Sequence, residues 1–163
     1  MMLDLSPVIN YEGKVLKVEE EVDFCASDTG LEFLKPVRVL GQVVNIGGRL
    51  ELSATVSTKF LCSCDRCCGE FERDFECSFE EILKKESERT DDSLDAVYFE
   101  GNSVDLDELV LNNIIVSFPS KLLCREDCRG LCPKCGKDLN LGECDCDLRV
   151  ADPRFDILDG LFE

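Results

Sequence analysis

The sequence predicts an α+β fold in which an antiparallel β-meander or partly open barrel carries one main helix and is followed by a cysteine-rich segment. Three observations lead to this prediction. Apolar and polar residues alternate through much of the first half of the chain, which is typical of half-buried β-strands. One apolar stretch with a capping signal begins near residue 105, and six of the twelve cysteines lie between residues 124 and 146.

Four segments with alternating hydrophobicity predict the main strands, namely 14–22, 37–44, 50–60 and 71–79. The pair Gly47-Gly48 stands between the second and third segments and is a strong signal for a short hairpin turn. Residues 96–99 predict one further short strand. The preceding residues, 86–95, are polar and charged, so they are expected to form a loop.

A single main helix is predicted from about residue 106 to residue 117. Asp105 is the expected N-cap, because Glu108 follows three positions later as in a capping box. Pro119 is expected to end the helix. A second, short helix is predicted over 152–158, where an Asp-Pro pair provides a start signal. The expected buried face of the main helix consists of Leu106, Leu109, Val110 and Ile114.

The chain is long enough for one hydrophobic core, since it has 163 residues of which 44% are apolar. Residues 1–119 are expected to form the antiparallel sheet body, with one helix near its end. Residues 120–163 are expected to form the cysteine-rich C-terminal segment and to pack on that body.

The expected location is the cytoplasm. The first residues show no basic region followed by an apolar stretch, so no signal peptide is expected. No apolar run approaches the roughly 18–20 residues that a membrane-spanning helix needs. Disulfides are rare in the cytoplasm, so twelve cysteines point to metal binding or redox chemistry instead.

The formal net charge of −17 is unevenly distributed. Residues 80–108 carry a net charge of −8, whereas residues 121–137 carry +3. Free nucleic acid is a poor ligand for such a chain, because its affinity comes largely from phosphates neutralised by lysine and arginine. Basic proteins are better electrostatic partners. The positive stretch either offsets thiolate charge or contacts phosphates locally; its bases are Lys121, Arg125, Arg129, Lys134 and Lys137.

The most specific local signal is a pair of cysteines two residues apart. Cys132 and Cys135, followed by Gly136, place two thiolates on one tight turn whose N–H groups point at the sulfurs. Cys144 and Cys146 supply two more thiolates shortly afterwards. The chain contains no histidine, so these four cysteines predict a closed structural zinc site.

A second cysteine pair has the same spacing. Cys64 and Cys67, followed by Gly69, form a turn of the same kind and need two further ligands. Cys124 and Cys128 are the expected partners, since they are four residues apart and otherwise unassigned. The sequence therefore predicts two zinc ions, each bound by four cysteines.

Other arrangements use the same residues. A competing grouping combines Cys124 and Cys128 with Cys132 and Cys135 and leaves the rest free. An iron–sulfur cluster has the same ligands, so spacing alone leaves it open. Redox catalysis would need a low-pKa cysteine at a helix N-terminus within a βαβ unit, and neither pair has that setting. The remaining cysteines are expected to be small buried residues or free thiols: Cys25, Cys62, Cys68 and Cys77.

Several blocks of the sequence together carry a family pattern. They are the cysteine turn at 64–67, the helical stretch 105–119, the block LCREDCRGLCPKCGKDLN at 123–140, the Cys-Asp-Cys triplet at 144–146 and the Asp-Pro-Arg triplet at 152–154. These blocks resemble the YceD-like family, also called the large ribosomal RNA subunit accumulation protein. The resemblance covers nearly the whole chain. It departs from the family pattern at Cys68, where leucine is common.

The resemblance implies a role in the synthesis, processing or stability of large-subunit (23S) rRNA. Combined with the charge, it predicts a non-enzymatic zinc-binding factor that supports rRNA accumulation and ribosome assembly. The expected partner is a basic ribosomal protein or assembly factor. The alternative is a direct rRNA-binding or RNA-processing protein with an rRNA contact in the stretch 121–137. An RNA-modifying enzyme is disfavoured, because neither a catalytic residue set nor a glycine-rich phosphate loop is found.

Overall fold

The computed structural model of the protein describes residues 1–24, 31–89 and 96–146. The chain divides into two compact units. The first unit consists of Met1–Cys62 and Glu72–Ser120, and the second consists of Ser63–Phe71 and Lys121–Glu163. The second unit therefore includes a short loop from the middle of the chain as well as the C-terminal segment. That the C-terminal segment packs on the sheet stays a prediction.

The described residues form mostly β-structure with one main helix. The strands are β1 (Met2–Asp4), β2 (Val15–Val22), β3 (Glu32–Phe33), β4 (Val37–Ile46), β5 (Arg49–Ser63), β6 (Glu70–Lys85), β7 (Val97–Phe99) and β8 (Ser103–Asp105). The helices are α1 (Ser6–Ile9), α2 (Leu106–Ser117) and a 3₁₀ helix at Glu86–Glu88.

The strands form two sheets. The order of the larger sheet is β2-β4-β5-β6-β7, with β3 also paired to β5, and β1 pairs with β8 in a two-stranded sheet. Strand β4 is antiparallel to both β2 and β5. Strand β7, in contrast, runs parallel to β6, so the predicted antiparallel meander is interrupted at that edge. Both sheets are open, and neither closes into a barrel.

The four predicted main strands and the short strand near residue 97 are confirmed. Strand β6 continues to Lys85, six residues beyond its predicted end. Its last residues pair with β7. The prediction ended too early because charged residues in this part of the strand interrupt the alternation of apolar and polar residues. Within the described residues, the elements that the sequence analysis missed are β1, β3, β8, α1 and the 3₁₀ helix at Glu86–Glu88, which have two to four residues each. Such short elements leave almost no periodic signal.

The core of the first unit lies on one face of the larger sheet. The register sets Val39 opposite Val56 and Val43 opposite Leu52, and all four side chains are fully buried. The buried face of α2 consists, as predicted, of Leu106, Leu109, Val110 and Ile114.

Helix α2 begins as predicted at Asp105, whose carboxylate accepts hydrogen bonds from the N–H groups of Asp107 and Glu108. It has 12 residues. Among the described residues, no helix is long and apolar enough to cross a bilayer. The predicted helix at 152–158 lies outside the described residues, as does most of the predicted loop at 86–95.

Asn45 fixes the hairpin between β4 and β5. Gly47 and Gly48 have φ angles of 61° and 87°, which confirms the predicted two-residue turn, since turns of this type need positive φ at both positions. The buried Asn45 side chain accepts a hydrogen bond from the Gly48 N–H at 2.9 Å. Its amide also donates to the carbonyls of Val8 and Ile9 at 2.8 and 3.0 Å. One side chain thus satisfies both the turn and α1.

We expect Asn45→Ala to lower the free energy of unfolding by about 2–4 kcal/mol, because it removes one hydrogen bond from each of three backbone groups. Urea unfolding measures this difference. The matched control is Asn112→Ala, which changes an exposed asparagine of α2 and should stay within about 0.5 kcal/mol of wild type. Equal losses in the two variants would contradict the role assigned to Asn45.

Candidate metal centre

The eight predicted ligands gather into two groups of four, and both groups lie in the second unit. Within each group the four sulfur atoms lie within 4.8 Å of one another. The competing grouping across the two sets is not the one that forms. The first tetrad is Cys64, Cys67, Cys124 and Cys128, and the second tetrad is Cys132, Cys135, Cys144 and Cys146.

The spacing of the sulfurs fits one metal ion per tetrad. In the first tetrad the Sγ atoms of Cys64 and Cys128 are 3.8 Å apart, as are those of Cys67 and Cys124. A tetrahedral ion with metal–sulfur bonds of about 2.3 Å requires sulfur–sulfur distances of about 3.8 Å. All the described cysteines are free thiols, so none of these sulfurs is held in a disulfide. Both tetrads could therefore hold a metal ion.

The first cysteine turn, residues 64–69, is closed by two backbone hydrogen bonds. The Cys64 N–H donates to the Gly69 carbonyl at 2.9 Å, and the Cys68 N–H donates to the Cys64 carbonyl at 2.8 Å. The backbone of Cys68 has a φ angle of 58°, a left-handed conformation that residues other than glycine rarely adopt. Gly69, which the sequence analysis expected in this role, does not have positive φ.

The second cysteine turn, residues 132–137, repeats the same two bonds. The Cys132 N–H donates to the Lys137 carbonyl at 2.9 Å, and the Gly136 N–H donates to the Cys132 carbonyl at 2.9 Å. Here the left-handed position is Gly136, with φ of 72°. The two turns are therefore equivalent residue by residue, with Cys68 in the place of Gly136.

Each tetrad contains one thiol that ionises easily. The backbone N–H of Cys124 is the main cause that lowers the pKa of Cys64 to about 6, with help from the N–H groups of Cys67 and Arg66. In the second tetrad, the N–H groups of Cys135 and Lys134 lower the pKa of Cys132 to about 6. Backbone N–H groups thus stabilise one thiolate in each tetrad before any cation is present.

One thiol in each tetrad has, in contrast, a strongly raised pKa. Desolvation, followed by the neighbouring thiols, raises the pKa of Cys124 to about 12. The side chain of Cys135 is the main cause that raises the pKa of Cys146 to about 12. Several negative charges at such short distances repel one another, so a cation is needed to keep all four sulfurs of a tetrad as thiolates.

The second unit has almost no apolar core. Among its described residues, the only buried ones are Cys64, Cys128, Gly130 and Cys132. A segment that buries so little apolar surface cannot offset the conformational entropy lost on folding. The buried side chains among the described residues of the unit are cysteines, which indicates that a metal ion bound by these cysteines would stabilise the unit.

Arg66 holds the first cysteine turn against the segment that carries the other ligands. Its guanidinium donates to the carbonyls of Cys128 and Glu126 at 2.7 and 3.3 Å, and its own carbonyl accepts the Leu131 N–H at 3.0 Å. Gly130 lies against the same residue with φ of +74°, and a Cβ atom there would be 2.8 Å from the Arg66 carbonyl oxygen. Only glycine fits this approach.

Asn140 connects the two tetrads. It lies in the loop between the second cysteine turn and Cys144, yet its amide nitrogen lies 3.5 Å from the Cys128 sulfur as a donor. Its side-chain oxygen accepts hydrogen bonds from the Arg129 N–H at 2.8 Å and from the Arg125 guanidinium at 2.7 Å. A residue between two ligands of the second tetrad thus donates to a ligand of the first.

The predicted basic stretch is partly used within the unit. Arg125 also pairs with Asp127 at 3.4 Å, and Arg129 pairs with Glu143 at 3.3 Å. Lys137 donates to the Glu143 carbonyl at 2.6 Å. Within the described ranges, Lys121 and Lys134 are the two bases of the stretch whose side-chain ammonium groups have no hydrogen bond or ion pair.

The cysteines outside the tetrads divide as follows. Cys62 is buried, as predicted, and Cys77 is half-buried; desolvation raises the pKa of both. Cys68 is exposed, and Cys25 lies outside the described residues. The sequence analysis gave no role to Arg66, Gly130 or Asn140, since their partners are distant or unpredictable from spacing. Only the glycine has a local signal, because it follows an arginine in a turn-rich segment.

The two equivalent positions of the cysteine turns allow a matched test. Cys68→Gly should raise the free energy of unfolding by on the order of 0.5 kcal/mol, because relief of the left-handed strain outweighs the extra freedom of the unfolded chain. Gly136→Ala should lower it by about 1–2 kcal/mol for the converse reason. Urea unfolding measures both. Loss of bound metal in Cys68→Gly would contradict the assignment of Cys68 as a non-ligand.

Asn140→Ala should weaken metal binding at the first tetrad by about tenfold, the lower end of the effect typical for residues that orient a ligand. Competition against a chromophoric chelator measures the affinity. Asn140→Asp keeps an acceptor for the Arg129 N–H but cannot donate to Cys128, so it should be at least as weak as the alanine variant. Wild-type affinity in Asn140→Asp would show that the contact with the sulfur is unimportant.

One family model matches most of the chain, including the residues of both tetrads. The family model described as "Large ribosomal RNA subunit accumulation protein YceD" matches residues 52–162, a range that includes all eight cysteines of the two tetrads. A search of the curated proteins and of the solved structures finds no significant match. The matched range is more than half of the chain, and it confirms the resemblance seen in the sequence. The chain belongs to the YceD family of large ribosomal RNA subunit accumulation proteins.

Proposed function

We propose that this protein is a non-enzymatic, cytoplasmic zinc-binding factor that supports 23S rRNA accumulation and large-subunit assembly through a basic protein partner. The family implies the process, because its description names the accumulation of large-subunit rRNA. The proposal that the protein binds zinc is supported by the composition of the second unit. It has two closed cysteine tetrads and hardly any other buried side chain among its described residues.

Zinc is the metal that suits these tetrads best. Four thiolates in tetrahedral spacing are typical of structural zinc sites. The sulfurs of each tetrad lie within 4.8 Å of one another, which leaves room for a single ion and not for a cluster of several irons with its own sulfides. An ion bound by four protein sulfurs has no open position for substrate or water, which favours a structural role over catalysis.

A basic protein is the partner that the charge favours. The chain has a net charge of −17, so a cationic protein is attracted by the whole surface, whereas an RNA backbone is repelled by most of it. Three of the five bases in the stretch 121–137 are engaged within the second unit. Their internal contacts leave little positive surface for phosphate groups.

Direct rRNA contact is the second candidate. The observation in its favour is that the ammonium groups of Lys121 and Lys134 have no internal partner among the described residues. Two lysines supply a small electrostatic contribution, and they would act only after a protein had brought the chain to its target.

The purified protein should contain two zinc ions, and Cys64→Ser and Cys124→Ser should each lose one of them. The double variant should also lose only one, because the two residues belong to the same tetrad and their effects are not additive. Elemental analysis measures the stoichiometry, and Cys68→Gly is the control that should keep both ions.

Limited proteolysis provides a second measurement on the same variants, namely the rate of cleavage in each unit. Structural zinc contributes on the order of 10 kcal/mol to small metal-dependent units, so cleavage should increase in the second unit while the sheet of the first unit remains protected. Loss of two ions in the double variant, or iron with inorganic sulfide in the wild type, would contradict the proposed sites.

Cells without the protein should accumulate large-subunit precursors, and the isolated chain should bind basic large-subunit proteins more tightly than naked 23S rRNA. Protein binding should weaken as salt rises, because the field of the surface is screened beyond about 10 Å at roughly 0.1 M ionic strength. Titrations of both ligands at several salt concentrations measure this preference.

The charge-reversed variant Lys121→Glu with Lys134→Glu separates the two candidates. It should leave protein binding unchanged and remove any residual rRNA contact. The other three bases are kept, because their reversal would disturb the metal-binding unit. Tight binding of wild type to naked 23S rRNA that this variant abolishes would establish direct rRNA recognition in place of the protein partner.

A further inference from the structure

We infer that the exposed face of α2, together with the acidic cleft beside it, is the surface on which the basic partner docks a cationic amphipathic helix. This inference rests on the proposed function, because that function supplies a partner of positive charge. The surface lies entirely in the first unit, whereas the cysteines that the proposed zinc sites use belong to the second.

The exposed face of α2 changes from acidic to apolar along the helix. Glu108 and Asn112 are exposed on its first turns. Ile115 and Val116 follow, with exposed fractions of 51% and 85%. Residues separated by four, seven and eight positions share one face of a helix. The opposite face of α2 is buried in the core, so two branched apolar side chains remain in water on the free face. Covering these two side chains with apolar groups of a partner would remove their surface from water, which is favourable.

The cleft beside this face holds an excess of negative charge. It has a volume of about 380 Å³, and its floor includes the apolar side chains of Val97, Val104 and Leu109. One base, Arg89, lines it. The acidic lining residues are Glu81, Glu86, Asp105 and Glu108.

The contacts of Arg89 show what the cleft can hold. Its guanidinium pairs with Glu86 at 2.9 Å and lies 5.1 Å from the centre of the Tyr98 ring. Charge pairing combined with a contact to an aromatic ring is a favourable setting for a guanidinium. Glu108 has no ion pair or hydrogen bond from its carboxylate within the described ranges. The cleft therefore has an acidic group left for a second cation.

The positions on α2 define the chemistry of the occupant. Glu108 and Ile115 are seven residues apart, which is about 10 Å along a helix at 1.5 Å per residue. A partner helix that carries a lysine or arginine about two turns from a leucine or isoleucine matches both ends of the surface. The overall charge of −17 adds long-range attraction for such a helix.

Two variants of the full-length, metal-loaded protein test the surface against purified basic large-subunit ribosomal proteins. Glu108→Lys and Val116→Asp should each weaken binding by about tenfold, which corresponds to about 1.4 kcal/mol. Leu141→Asp is the matched control for the apolar change, because Leu141 is 86% exposed. Glu20→Lys is the control for the charge change, on an exposed position of β2. Both controls should stay within twofold of wild type.

The outcomes separate this inference from the proposed function. If wild type binds none of the basic proteins, both the proposed partner class and the docking surface are wrong. If wild type binds and all four variants bind equally well, the proposed function stands and the docking surface is overturned. If sedimentation shows a wild-type dimer that Val116→Asp dissociates, a second copy of the chain covers this face, and the inference is likewise overturned. Circular dichroism and metal content confirm that each variant is folded.

Discussion

The contact between Arg66 and the Cys128–Leu131 stretch is the interaction on which the geometry of the first tetrad depends. Cys64 and Cys67 are in the middle of the sequence, whereas Cys124 and Cys128 come about sixty residues later. The Arg66 guanidinium and carbonyl bind both carbonyl and N–H groups of the later segment. Because Gly130 has no side chain, the two backbones approach closely enough for the four sulfurs to meet.

The two units are stabilised by different physical effects. The first unit has a sheet with a continuous apolar face, a capped helix and a buried asparagine that satisfies a turn. The second unit has cysteines where a core would be, so its free energy of folding depends on the proposed ions. A chelator should therefore act on the second unit alone. The proposed docking face of α2 belongs to the first unit, whereas both tetrads belong to the second, which allows the two functions to be tested separately.

The two cysteine turns have the same backbone conformation, which restricts the residue types that fit directly after the second cysteine. Both turns use the same pair of hydrogen bonds around the first cysteine, and both need a left-handed residue directly after the second. The second turn supplies glycine there, and the first supplies Cys68. The glycine of the first turn, Gly69, comes one residue after the left-handed position, and its carbonyl accepts the Cys64 N–H.

The sequence by itself determined the period-two strands, the Gly47-Gly48 turn, the cap and buried face of α2, and the pairing of cysteines within each turn. These features depend on neighbours a few residues apart, where alternation and spacing are visible in the chain. Only the tertiary structure decided the parallel edge strand β7, the choice between the two groupings of cysteines that the sequence left open, and the internal use of the arginines near residue 125. Those outcomes depend on backbone groups that meet across long sequence separations, and composition and periodicity carry no information about such contacts.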